Sequence, residues 1–100
     1  MYARVTIAGG LPGNDEVTKK VISWQEQEVV PELEKKQGFK GTYGLLERET
    51  GKWINITLWE TEEDARATQA WYEEKVEKAG ELTQGPRPVG PDYYEVVVEA

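Results

Sequence analysis

The sequence predicts an α+β fold of the ferredoxin-like kind: a four-stranded antiparallel sheet in a βαββαβ order. Three observations lead there. Segments whose side chains alternate every second residue bracket two segments of helical period. The turn signal Glu49-Thr50-Gly51-Lys52 joins two strand-like segments directly, so those two pair antiparallel. Trp59 is followed within two residues by Thr61, with Asp64 three further on, a capping-box variant that turns a strand into a helix. One hundred residues hold this as a single domain, 1–100, with a thin core.

Tyr2 to Ala8 alternates as the first strand, with Ala3, Val5 and Ile7 on one face and Tyr2, Arg4 and Thr6 on the other. Gly9, Gly10, Pro12 and Gly13 end it, and Asn14 or Asp15 caps the next segment. A helix is predicted from about Asp15 to Lys36, because Val17, Val21, Trp24, Val29 and Leu33 recur at three-, four- and five-residue steps. Pro31 removes a helical donor, which predicts a kink or break near Val30: either a helix followed by a short second one, or a bend that opens space above the sheet. Lys35, Lys36 and Gly38 suit its end.

Phe39 to Glu49 reads as the second strand, with Phe39, Gly41, Tyr43 and Leu45 on one face. The third strand is Trp53 to Trp59. A second helix is predicted from about Glu62 to Ala79, with Ala65, Thr68, Tyr72, Val76 and Ala79 as a narrow stripe and Gly80 as its stop. Glu81 to Pro91 is a proline-stiffened crossing loop, and Tyr93 to Glu99 the last strand.

Composition excludes several function classes. The net charge is −7, and clustered Lys and Arg are what phosphate contacts need, so nucleic acid is not expected. No run reaches membrane-span length and the N-terminus lacks the apolar run of a signal peptide, so the expected location is cytoplasmic, with no membrane partner. Histidine and cysteine are both absent. That removes a Ser-His-Asp triad, a cysteine nucleophile and any His- or Cys-ligated metal. A carboxylate-only Mg²⁺ or Ca²⁺ site stays open in principle, but with no calcium-loop spacing no metal site is expected, and no phosphate-binding or dinucleotide motif is present.

The third strand carries the chemistry. Ile54, Ile56 and Leu58 share one face; Trp53, Asn55, Thr57 and Trp59 share the other. Large aromatics around an amide and a hydroxyl are what a small-molecule pocket needs, and equally what a packed layer with one satisfied amide contains. Trp24, Tyr43, Trp71 and Tyr72 are wall candidates by phase, each also readable as core, and Arg4 joins them if its strand face points to the cleft. With both helices on one face of the sheet, the other face stays apolar and predicts pairing with a second copy.

Gly38-Phe39-Lys40-Gly41 after a helix ending Pro31-Glu32-Leu33, then Thr57-Leu58-Trp59-Glu60-Thr61-x-x-x-Ala65, resembles the antibiotic-biosynthesis monooxygenase domain family. The resemblance spans about Tyr2 to Gly80 and extends towards the last strand. It implies a dimeric α+β barrel, in which two sheets pack together and each monomer keeps a cleft between sheet and helices. It also implies a cofactor-independent monooxygenase that oxidises an electron-rich phenol, anthrone or quinol with O₂, without cofactor. Trp59 matches the strand-end tryptophan of that motif, and Asn55 the asparagine that accompanies it in cofactor-free members. These two are the expected catalytic pair, with Trp24, Tyr43, Trp53, Thr57, Trp71, Tyr72 and Arg4 as substrate contacts. The haem-degrading branch uses an axial histidine on the second helix, which this chain lacks. The alternative is the same dimeric barrel as a non-catalytic module, either holding a small ligand or purely structural.

Overall fold

A computed structural model describes residues 1–9 and 15–100. Strand β1 is Tyr2–Ala8, β2 Phe39–Leu46, β3 Trp53–Trp59 and β4 Val89–Glu95. They form one antiparallel sheet in the order β2-β3-β1-β4. Four α-helical segments accompany it among the described residues: α1 Asp15–Trp24, α2 Val30–Leu33, α3 Glu62–Arg66 and α4 Gln69–Thr83. This is the predicted ferredoxin-like α+β fold.

The face covered by helices is the more polar one. Arg4 and Thr6 on β1, both buried, reach Thr68 and Tyr72 respectively. In register beside them on β3 stand Thr57 and Asn55. The opposite sheet face carries Ala3, Val5 and Ile7 paired with Leu58, Ile56 and Ile54. The core lies at one end of the covered face, where Leu33, Trp59 and Ala65 are buried among Val29, Phe39, Trp71 and Tyr93. Thr61 accepts from the Asp64 backbone N–H at 3.0 Å, so the predicted cap fixes the Trp59 end of β3 against α3.

Several boundaries differ from the sequence reading, each for a local reason. The first helix does not break before Pro31. A π-turn, Gln25–Val29, joins α1 to α2, and Trp24 and Val30 on either side both keep right-handed helical angles. The Val30 N–H bonds the Gln25 carbonyl, one residue further back than in an α-helix. The widened turn relieves the clash that a proline ring makes with the carbonyl four residues before it. The proposed cap Asn14 lies outside the described residues, as does Gly10 to Gly13.

The second helix is interrupted after Arg66 and resumes at Gln69, then runs through Gly80 to Thr83. It stops at Gln84, which takes the left-handed conformation (φ 54°) and donates its N–H to the Gly80 carbonyl at 2.7 Å. A register shift between Phe39 and Gly41 changes the phase of β2. Phe39 therefore packs edge-on against Trp59 at 5.7 Å, while Tyr43 and Leu45 stand on the opposite face, 61% and 46% exposed. The last strand begins at Val89 and ends at Glu95, four residues earlier than expected at each end. It tolerates Pro91 because β4 is an edge strand, where a missing N–H costs no ladder bond.

Candidate functional site

Between the sheet and the α1–α4 pair lie two adjoining, partly open cavities of about 90 and 100 Å³. The first has Arg4, Thr6, Thr42, Asn55 and Thr57 of the sheet as its floor. Its walls are Trp24, Val29 and Leu33 on one side and Trp71, Tyr72, Lys75 and Val76 on the other. The second lies towards the Trp53 end of the sheet, against Val17 and Val21 of α1 and Gly80 and Thr83 of α4. Gln25, Asn55, Ala79 and Pro88 line both and mark the seam between them.

Strand β3 sets the polarity of the floor. Trp53 donates its indole N–H to Asn55 Oδ1 at 2.8 Å, and Trp59 donates its own to Thr57 Oγ1 at 2.9 Å. Residues two apart on a strand share a face, so each tryptophan reaches its inner neighbour. Indole is a donor only, so the first bond fixes which way the Asn55 amide points. Asn55 Nδ2 then keeps both hydrogens, and the Thr57 hydroxyl keeps its proton, with no acceptor for either among the described residues. The alternation Trp-x-Asn-x-Thr-x-Trp thus yields a row of donors facing the cleft.

Arg4 adds positive charge beneath that row. It is 2% exposed and has no carboxylate partner among the described residues. Its Nη1 donates to the Ala65 carbonyl at 3.1 Å and to Thr68 Oγ1 at 2.7 Å. The guanidinium lies 4.6 Å from the Tyr72 ring centroid and 5.2 Å from that of Trp59. Two charge-assisted bonds at about 1.5–3 kcal/mol each, and two desolvated cation–π contacts at about 2 kcal/mol each, offset the several kcal/mol of burying a cation. Burial lowers the Arg4 pKa, opposed by the neighbouring phenols of Tyr93 and Tyr72. Burial likewise raises that of Tyr72, opposed by its 2.5 Å bond to Thr6 and by Arg4. Tyr72 therefore holds its proton at neutral pH.

The cavity's outer wall is tied by an ion pair. Glu32 accepts from Trp71 Nε1 at 3.0 Å and from Lys75 Nζ at 2.9 Å, linking α2 to α4. The Lys75 hydrogen bond, then that of Trp71, holds the Glu32 carboxyl below its usual range. No carboxylate lines either cavity among the described residues, and no three groups come together there to hold a metal ion.

The predicted site residues are partly gathered. Arg4, Trp24, Asn55, Thr57, Trp71 and Tyr72 line the first cavity, and Trp53 with Asn55 the second. Tyr43 does not line the cleft, because the shift after Phe39 turns it to the other sheet face. Trp59 touches neither cavity: it is fully buried under Arg4 and Phe39 and reaches the site only through Thr57. Gln25, Thr6, Lys75 and Pro88 line the site without having been singled out by the sequence. Thr6 was legible, since it shares the face of Arg4.

The fold is that of a monooxygenase of known structure. The crystal structure of a monooxygenase from the gene ActVA-Orf6 of Streptomyces coelicolor, in complex with the ligand nanaomycin D, matches with a TM-score of 0.65 at 14% sequence identity, over 99% of this chain and 92% of that one. Identity that low shows the shared fold alone. Comparison by sequence finds no matching family model and no matching curated protein. Among the described residues no helix is long and apolar enough to cross a membrane.

Proposed function

We propose that the protein is a cytoplasmic, cofactor-independent monooxygenase acting on an electron-rich aromatic of the phenol, anthrone or quinol type. The observation that carries this reading is the donor row of β3. Asn55 Nδ2 and the Thr57 hydroxyl proton, left free while the adjoining oxygens accept from Trp53 and Trp59, face a cleft with a buried arginine beneath it. Fixed donors lining a partly open, mostly apolar cleft suit a phenolate or enolate oxygen. The shared fold with a ligand-bound monooxygenase supports the same reading.

In that mechanism the substrate gives a proton to solvent through the open side of the cleft, and its oxygen settles against Asn55 and Thr57. The carbanion or phenolate then reduces O₂. For a ring CH₂ converted to C=O, one oxygen atom enters the product and the other leaves as water with both hydrogens of the CH₂. The substrate supplies all the electrons, so no bound redox group has to store them. Arg4 stabilises the anion through the field, and Tyr72 stays neutral beside it.

One observation favours the second reading, a non-catalytic module for a small aromatic ligand: no carboxylate faces either cavity among the described residues, so no strong base is placed there. Oxygen uptake with anthrone separates the two. Uptake above the buffer rate, lost in Asn55→Ala, is expected; a folded protein with no uptake on any of the three substrate types sinks the oxygenase reading.

We also propose a homodimer closed through the open sheet face. Ile7, Tyr43, Leu45 and Tyr94 stand there 37–61% exposed. Covering the exposed part of each such side chain would contribute roughly half of the 1.5–3 kcal/mol that full burial gives. Sedimentation of a monomer at micromolar concentration would remove this part.

A further inference from the structure

Val17, Val21, Val29 and Leu33 lie on a four-residue spacing, and the one position in that series without an apolar residue is Gln25. An α-helix turns about 100° per residue, so a four-residue repeat drifts about 40° per step and would leave one face. The π-turn that starts at Gln25 takes up the drift. Val29 and Leu33 therefore still line the first cavity while Val17 and Val21 line the second. Gln25 sits at the changeover and lines both. The next three residues, Glu26, Gln27 and Glu28, are exposed.

Gln25 is half-buried, and its amide is open to the cleft rather than sealed in the core. The Gln25 side chain has no hydrogen-bond partner among the described residues, while its backbone carbonyl accepts from the Val30 N–H. Across the seam stands Asn55, whose Nδ2 is likewise unspent. Both cavities are otherwise mostly apolar away from this seam, and each is about 90–100 Å³. An apolar cavity of about 150 Å³ accepts one benzene, so each half, being partly open, has the scale of one ring.

We propose that Gln25 is a ligand-contacting, specificity-determining residue, and that the cleft takes a two-lobed, uncharged apolar molecule with an oxygen acceptor at its waist. One lobe lies over Trp71 and Tyr72, the other beside Trp53, and the waist oxygen meets Gln25 and Asn55 at the seam. This rests on the cleft being the functional site, as proposed above, but not on oxygenation.

The test is calorimetric titration of the full chain with benzophenone, diphenylmethane and acetophenone. Benzophenone carries two rings and a central carbonyl and offers no oxidisable CH₂. Diphenylmethane lacks the oxygen, and acetophenone lacks one ring. Benzophenone is expected to bind at least about 10-fold more tightly than either. Gln25→Met, which keeps the length and apolar fit, should weaken benzophenone about 5- to 10-fold, the scale of one neutral hydrogen bond, and leave diphenylmethane within about twofold. Gln25→Leu serves as the second variant, with far-ultraviolet circular dichroism showing the helix intact in both. Equal binding of benzophenone and diphenylmethane by the wild type, no binding of benzophenone at millimolar concentration, or unchanged benzophenone binding by folded Gln25 variants would each overturn the proposal. Intact benzophenone preference without oxygen uptake would instead refute the oxygenase reading and leave this one standing.

Discussion

Asn55→Asp isolates the donor role from the shape of the residue. The side chains are isosteric, and the Trp53 indole can keep its 2.8 Å bond to Oδ1. What changes is the atom facing the cleft: Nδ2 with two hydrogens becomes a carboxylate oxygen with none. Losing one preorganised donor to an oxyanion costs about 10²- to 10³-fold in turnover. A carboxylate about 4 Å from the developing anion adds repulsion of about 4 kcal/mol at an effective dielectric constant near 20. Asn55→Ala suffers the first loss alone. The expected order of oxygen uptake with anthrone is therefore wild type, then Asn55→Ala lower by about 10²-fold or more, then Asn55→Asp lower still. Thermal midpoints within a few degrees of one another would show that the fold is not the variable. The result that refutes the reasoning is Asn55→Asp faster than Asn55→Ala. A carboxylate would then be helping as a base, and proton removal rather than anion stabilisation would be limiting.

Tyr72→Phe leaves the buried Thr6 hydroxyl without its 2.5 Å partner, so urea unfolding should show a loss of about 1–3 kcal/mol at neutral pH. Burial also raises the Tyr72 pKa above its ordinary 10.0, so its contribution is present below pH 10.0 and is lost as pH rises through the folded value. The alkaline limb of a stability profile should accordingly be shallower in Tyr72→Phe than in wild type, and identical limbs would contradict the assignment. Arg4→Lys keeps the charge but cannot stack as a plane on Tyr72 and Trp59, so it should cost about 1–3 kcal/mol by the same measurement; a neutral result would mean the planar contacts contribute nothing. Gly38→Ala drives a Cβ into the Asp64 side chain at a φ of +79°, and should lower stability by about 1–3 kcal/mol without altering ligand binding in the cleft.

The architecture was legible because its signals are local and redundant. Alternation marked β1 and β3, the Glu49–Lys52 turn linked β2 to β3, and Thr61 with Asp64 set the strand-to-helix turn at its observed place. What escaped were features decided by neighbours in space. Gly80 looks like a helix stop, yet α4 continues because it has α1 to pack on, and Gln84 takes the left-handed cap instead. Nothing in the sequence of β2 distinguishes a regular strand from one with a shift after Phe39, so the facing of Tyr43 was inverted. Pro91 reads as a strand breaker until the sheet order places its strand at an edge.

The site was legible to the extent that it depends on strand period. Trp53, Asn55, Thr57 and Trp59 share a face by arithmetic, and the structure adds that each tryptophan gives its N–H to its inner neighbour, Trp53 while lining the second cavity and Trp59 from a fully buried position outside both. Gln25 escaped because the apolar stripe was read with Trp24 as its middle member, which left an unexplained five-residue step to Val29. Read every four residues from Val17 to Leu33, the same stretch is a helix that must be under-wound somewhere, and Pro31 says where. The polar residue in the remaining slot is then the one that faces the ligand. The proline and the glutamine are thus parts of a single device: the π-turn accommodates the first and sets the second at the seam of the cleft.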